Sequence, residues 1–472
     1  MYGLFFPALL TVAGCLTLTN GRESVFGTAA FVGAACSFFA FGDLLLGTVR
    51  LSCYKLIAIG LLMGYCTTSA FTWVSSLGYD GGLSAFMNAD VSDLCSALGA
   101  VLLSCSLLFV IGELSGDAVV VDVRAILKLP QTNWVIAFGI LAVVAAFLHG
   151  DLGFMGAAVA DSKRTFLGAI GDWLVPPVFA LTFSRARSQS GKILPRLFWW
   201  ALATVLLVIT FPLGRRVFMY TLLMGFIADR FRDTSGRRIT IKLVVSAILA
   251  VSTLYAVSLA FLYLREATYE YGEDERPSLR ELAQKGYSVY QNGNISDIQA
   301  NLNQNTEERG FIIAWLGDLL LQASHHPTGH GINVANSLML TIPSLLWPDK
   351  AENMPPFEEG TANELFGTEY QDEANSLLTA GVVDFGFIGA LVYPTCAAFL
   401  LSMYLRYFLP RLAPVPALLL LFAAFYQMLN VEVEITSYVV FCRDSLLFAA
   451  IVYLIGRLRV NFKRPAPLPV RS

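Results

Sequence analysis

Residues 94–113 read LCSALGAVLLSCSLLFVIGE, with no charge before Glu113. An uncharged run of that length spans a ~30 Å hydrocarbon layer as a helix. Similar blocks recur at 2–19, 26–47, 53–75, 134–150, 171–184, 196–211, 214–230, 240–264, 376–404, 412–430 and 438–456. The composition agrees. Hydrophobic residues make up 56% of the 472-residue chain, charged residues only 14%, and the mean hydropathy is +0.62. Soluble domains carry about 25% charged residues, so a string of soluble domains is excluded. The expectation is an all-α polytopic membrane protein of about twelve transmembrane helices. The block at 171–184 is short and contains Pro176 and Pro177, which predicts a kinked or re-entrant segment.

Basic residues set the orientation, because Lys and Arg accumulate in cytoplasmic connections. Arg185, Arg187, Lys192 and Arg196 form one cluster, and Arg230, Arg232, Arg237, Arg238 and Lys242 another. Arg406 with Arg411, and the tail residues Arg457, Arg459, Lys463 and Arg464, form two more. Twelve spans put all four inside, with both termini cytoplasmic. The alternate connections are acidic or poor in basic residues, as at Asp80, Asp90, Asp93, Glu432 and Glu434. The first block has neither a basic leader nor a cleavage site, so it reads as a retained span.

This divides the chain into 1–264 with helices one to nine, a large outer loop at 265–375, and 376–472 with helices ten to twelve and a tail. The loop holds 18 acidic and 6 basic residues, and three of the four histidines. Within it, Phe311, Ile312, Trp315, Leu316, Leu319 and Leu320 recur at helical spacing, which predicts an amphipathic helix over the bundle or on the bilayer. The Pro- and Gly-bearing stretch His325-His-Pro-Thr-Gly-His-Gly331 reads as a turn, followed by a second apolar helix near 332–342. All eight cysteines fall in or at apolar blocks and suit packing. No Cys or His spacing suggests a metal, and no cofactor or nucleic-acid partner is expected.

Arg215 and Arg216 stand in the outer turn Pro212-Leu-Gly-Arg-Arg, where the positive-inside tendency disfavours them. Guanidinium forks bind phosphate bidentately and keep their charge, so an anion site is one reading and snorkelling to headgroups the other. Arg443 lies just inside the last span and needs a partner such as Asp444 or Glu434, or a ligand. Arg309 can project toward the same vestibule, and Arg280 is a weaker candidate. Candidates for proton transfer are Asp318, His326, His330, Asp372 and Glu373. Asp384 suits either a special or a helix-packing role.

The outer Gly-Arg-Arg turn, the late loop with Ile342-Pro-Ser-Leu-Leu-Trp-Pro-Asp-Lys350, and Asn375 followed by Phe385-Gly-Phe-Ile-Gly389 together resemble the bacterial O-antigen/oligosaccharide repeat-unit polymerases (Wzy-type). These are related to the O-antigen ligases. The resemblance implies chemistry at the outer face of the bacterial inner membrane. A glycan on undecaprenyl pyrophosphate would be the donor and a lipid-linked repeat unit the acceptor, alongside a chain-length regulator and a flippase. It implies catalytic roles for Arg215, Arg216, Arg309, His326 and Glu373. It implies substrate binding by Arg443, Arg280, Asp318, His330 and Asn375, and neither metal nor cofactor. Ligases usually carry His where this chain has Ala374, which favours a polymerase. The polymerase spacing of Arg or His to Gly eleven positions on is not kept, since Phe226 and Leu320 stand there. A ligase-type transferase and a lipid-linked oligosaccharide transporter remain as alternatives.

Overall fold

The structure is a computed structural model. It describes residues 4–46, 52–115, 131–149, 166–189, 193–211, 215–232, 311–342, 346–351, 355–369 and 374–458, with isolated positions 129, 152, 213, 281, 284, 285, 287, 288 and 353. The described residues are helical, without strands. Every apolar block of the sequence except 240–264, which lies outside the described residues, coincides with a helix. Six of these helices are long and apolar enough to cross a membrane.

The chain forms two compact units, Met1–Thr132 with Arg309–Ser472, and Asn133–Glu308. The first unit contains α1 (Phe5–Thr19), α2 (Glu23–Leu46), α3 (Cys53–Ser76), the short α4 (Gly82–Met87) and α5 (Val91–Leu114). The second unit holds α6 (Gln131–His149), α7 (Phe166–Ser188), α8 (Ile193–Thr210) and α9 (Arg215–Arg232). The first unit is completed by α10 (Phe311–His325), α11 (Ile332–Leu340), α12 (Glu358–Phe366), α13 (Leu377–Phe408), α14 (Pro414–Leu429) and α15 (Ile435–Leu458).

In lipid, helices associate through close packing and polar contacts rather than hydrophobic burial, so small residues collect at their contacts. The first unit follows this rule. Gly14 of α1 faces Leu103 of α5, and Gly99 of α5 faces Thr17 and Leu18 of α1. The Ser106 hydroxyl joins them further along, donating to the Pro7 carbonyl at 2.8 Å. Gly27 and Gly33 of α2 receive Trp73 and Cys66 of α3.

The middle of α3 widens into a π turn, Leu62–Cys66, a feature frequent near functional sites. Around it, Gly60 meets the Met428 carbonyl and Gly64 meets the Val431 side chain. These two glycines let the chain after α14 lie directly on α3, which fixes where Glu434 can stand.

In the second unit, α7 packs against α8 and α9. It runs as one helix through Pro176 and Pro177, not as a short re-entrant segment. Gly139 of α6 receives Val178, Gly225 of α9 receives Phe179, and Arg187 pairs with Asp229 at 3.4 Å.

Candidate functional site

The amphipathic helix α10 lies over the bundle. Ile312, Ile313, Trp315, Leu316 and Leu319 are buried, and its Gly317 rests on the Asp93 carbonyl at the start of α5. Helices α11 and α12 continue this layer, with Ser337 of α11 accepting a 3.0 Å hydrogen bond from Thr436 at the start of α15. Asp93, Ser376, Glu434 and Thr436 all mark helix starts, so α10–α12 cover one end of the first unit.

The sequence Asp384-Phe-Gly-Phe-Ile-Gly389 does not continue as a straight helix. Phe385 (φ −142°, ψ 20°) and Gly386 (φ 60°, ψ −146°) break α13. Gly386 occupies a region almost reserved for glycine. Gly381 and Gly389, about 12 Å apart on a straight helix, touch backbone to backbone, since a Cβ on either would overlap the other's backbone. The first eight residues of α13 therefore fold back as a hairpin. The remainder, Phe387 to Phe408, is about 33 Å long, enough by itself for the hydrocarbon core.

Asp384 is fully buried at this bend. Its carboxylate accepts from the Asn333 amide at 3.1 Å and from the Tyr393 hydroxyl. Its own carbonyl accepts from the His330 amide at 2.9 Å. A carboxylate on the first amides of α11 satisfies orphan donors and the positive end of the helix dipole. Asp384 is thus a cap holding α11 to α13. The other end of α11 is held by cations. Buried Lys350 donates to the Leu340 and Ile342 carbonyls, and Arg443 donates to the Thr341 carbonyl at 2.9 Å and to Asp444 at 2.7 Å. Three successive carbonyls are met this way, which explains the loop Ile342–Lys350: it brings the lysine back under the helix end.

The start of α13 carries the second polar group. Ser376 closes a capping box with Thr379 and exchanges a 2.7 Å hydrogen bond with Tyr65 of the π turn. Thr379 donates to the Glu358 carboxylate at 2.5 Å, and Asn375 Nδ2 donates to Glu434 Oε1 at 3.2 Å. Burial, and then the nearby Glu434 charge, push the Glu358 carboxyl well above the ordinary glutamate value, with Thr379 pulling it partway back. Burial also raises Glu434, opposed by the Asn375 hydrogen bond.

The sequence candidates are spread over several places. Asn375 joins Glu434, and Arg443 is committed to Asp444 and Thr341. Asp318 accepts from Gln322 at 3.3 Å. His326 and His330 are exposed on the turn after α10, beside Phe366 and Phe385 with ring centroids 6.2 and 6.4 Å apart. Neither imidazole has a hydrogen-bonded carboxylate among the described residues. Arg215 and Arg216 open α9 in the second unit, at the helix N-terminus rather than in a turn. Arg280, Arg309, Asp372 and Glu373 lie outside the described residues. Sequence reasoning passes over Glu358 because no motif surrounds it, and it offers Glu434 only as an acidic loop residue and a candidate partner of Arg443. Among the described residues no cluster of three or more His, Cys, Asp or Glu side chains forms a metal site.

The chain matches no protein-family model, no curated protein and no solved structure.

Proposed function

We propose that this protein is a glycosyltransferase of the membrane that joins oligosaccharide repeat units carried on undecaprenyl pyrophosphate into a polysaccharide, at the outer face of a bacterial inner membrane. The observation that supports the reading is the layer of short helices α10–α12 over one end of the apolar bundle. In this reading a lipid-linked sugar presents its headgroup to that layer while its tail stays in the bilayer. The acceptor hydroxyl attacks the anomeric carbon of the donor, the bond to the pyrophosphate oxygen breaks, and the hydroxyl proton passes to a base. Arg215 and Arg216 are assigned to the departing pyrophosphate, with Arg309 in support. Both arginines belong to the opening turn of α9, and a helix N-terminus favours an anion. His326 and Glu373 are assigned to the proton, and Asn375, Asp318, His330, Arg280 and Arg443 to the sugars or their surroundings. A chain-length regulator and a flippase are the partners proposed with this activity.

The test is to incubate the purified protein with lipid-linked repeat units and resolve the products. A ladder of lengthening chains is expected. Arg215→Ala and Arg216→Ala should each cut its rate about 100-fold, the usual cost of losing a group aimed at developing negative charge. Full laddering in both variants would discard the site assignment. One observation favours a second reading, a transporter for the same lipid-linked sugar: interrupted helices such as α13 are typical of transporters. Movement of the lipid-linked unit across a vesicle membrane without a new glycosidic bond would establish that reading instead.

A further inference from the structure

Glu358, bonded to Thr379, and the hydrogen-bonded pair Asn375–Glu434 gather at the start of α13, with no cation opposite them among the described residues. Glu358 is 7% exposed and Asn375 8%. Asn375 directs Nδ2 at Glu434, and its Oδ1 is buried without any hydrogen-bond partner. Turning the amide over would not help, because Oδ1 would then face a carboxylate oxygen, acceptor against acceptor. Neither glutamate forms an ion pair with a Lys or Arg among the described residues. Arg443 and Lys350 are engaged elsewhere, Arg443 by Asp444 and Lys350 by the end of α11. What does face Glu358 is neutral, the Thr379 hydroxyl and the Ser376 amide, or negative, Glu434 and more distantly Asp384. Tyr65 closes the group from α3 through Ser376. Hydrogen bonds from neutral donors satisfy lone pairs but leave two carboxyls that repel each other in one poorly solvated place whenever both ionise.

We propose that Glu358, Glu434 and Asn375 hold a divalent cation of the calcium class. The donors are all oxygen, which selects a hard ion over zinc or copper. Two carboxylates balance a double charge, and the orphaned amide oxygen supplies a third protein ligand. Calcium accepts six to eight oxygens in irregular arrangements and takes water for the rest, whereas magnesium demands an octahedron and dehydrates reluctantly. Glu434 is only half-buried, which leaves a way in from solvent. The ion would tie α12 and the turn before α15 to the start of α13, three pieces far apart in the chain. This inference does not depend on the transferase reading.

The experiment uses the full-length protein in detergent, stripped with EDTA and titrated with calcium chloride. Two readouts are followed, thermal unfolding and binding of radioactive calcium by equilibrium dialysis. One saturable site and a rise in Tm are expected, with a weaker response to magnesium. Glu434→Gln, Glu358→Gln and Asn375→Ala should each weaken calcium binding at least about tenfold. Without calcium, Glu434→Gln should be at least as stable as the parent, because it removes a repelled charge while keeping the side chain's size. A merely structural glutamate would not give that pairing of results. Asp349→Asn, on an exposed residue elsewhere, should bind like the parent. The proposal is overturned by the absence of saturable calcium binding, by an equal response to magnesium, or by a calcium effect that survives in both glutamine variants. Should Asn375→Ala lose its fold, the two glutamine variants decide.

Discussion

Glu358 and Glu434 differ from ordinary surface glutamates because burial makes their charged forms costly. Both carboxyls are raised in the folded protein, so between the unfolded value near 4.5 and the folded values the native state holds more protons than the unfolded chain. Stability must then fall as pH rises through that window. In EDTA, unfolding followed from pH 4.5 upward should show this decline, and Glu358→Gln should flatten it. An unchanged profile in that variant would assign the slope to other groups. Lys350 makes a complementary case. Its ammonium is buried against two carbonyls, so Lys350→Met keeps the bulk but strands both acceptors, costing about 1–3 kcal/mol. A denaturation series would read this directly, and a cost near zero would mean that water replaces the ammonium. Neither role was legible from sequence. Glu358 and Glu434 are 76 positions apart and meet only because Gly60 and Gly64 let the 428–434 chain settle on α3.

Among the elements, α13 departs most from its apparent simplicity. Its hydropathy reads as one long span, and Asp384-Phe-Gly-Phe-Ile-Gly389 was recognisable as a motif but not as a bend. Hydropathy registers how apolar a segment is, whereas the bend depends on one positive φ and on two glycines eight positions apart meeting. Gly389→Val should be severe, since the added side chain would overlap the Gly381 backbone. Gly386→Ala should cost about 1–3 kcal/mol for its strained dihedrals alone. Comparing the two by thermal unfolding separates crowding from strain. If Gly389→Val unfolds like the parent, the hairpin is not as tight as described. By contrast α10 was legible in detail, because a buried stripe at helical spacing leaves its imprint whether the helix covers lipid or protein. Its Gly317 contact with Asp93, invisible to periodicity, decides for protein.

For the whole molecule, the apolar blocks gave the helices, because a segment without charge has few stable alternatives to a helix in lipid. The side of the membrane on which each connection lies rests on charge alone. Cysteine labelling tests it. In a background with the exposed Cys15 and Cys396 replaced by alanine, Thr368→Cys should react with a membrane-impermeant reagent added to intact cells. Ser188→Cys and Leu412→Cys should react only after the cells are opened. The reverse pattern would place the α10–α12 layer inside and end the case for outer-face polymerisation. The covering layer itself is no loose lid. Helix α11 is gripped at its first amides by Asp384 of α13 and at its last carbonyls by Arg443 of α15. It works as a crossbar bolted at both ends, so a push that spreads α13 from α15 must strain it, and its amides should exchange with deuterium as slowly as those of the rods it joins.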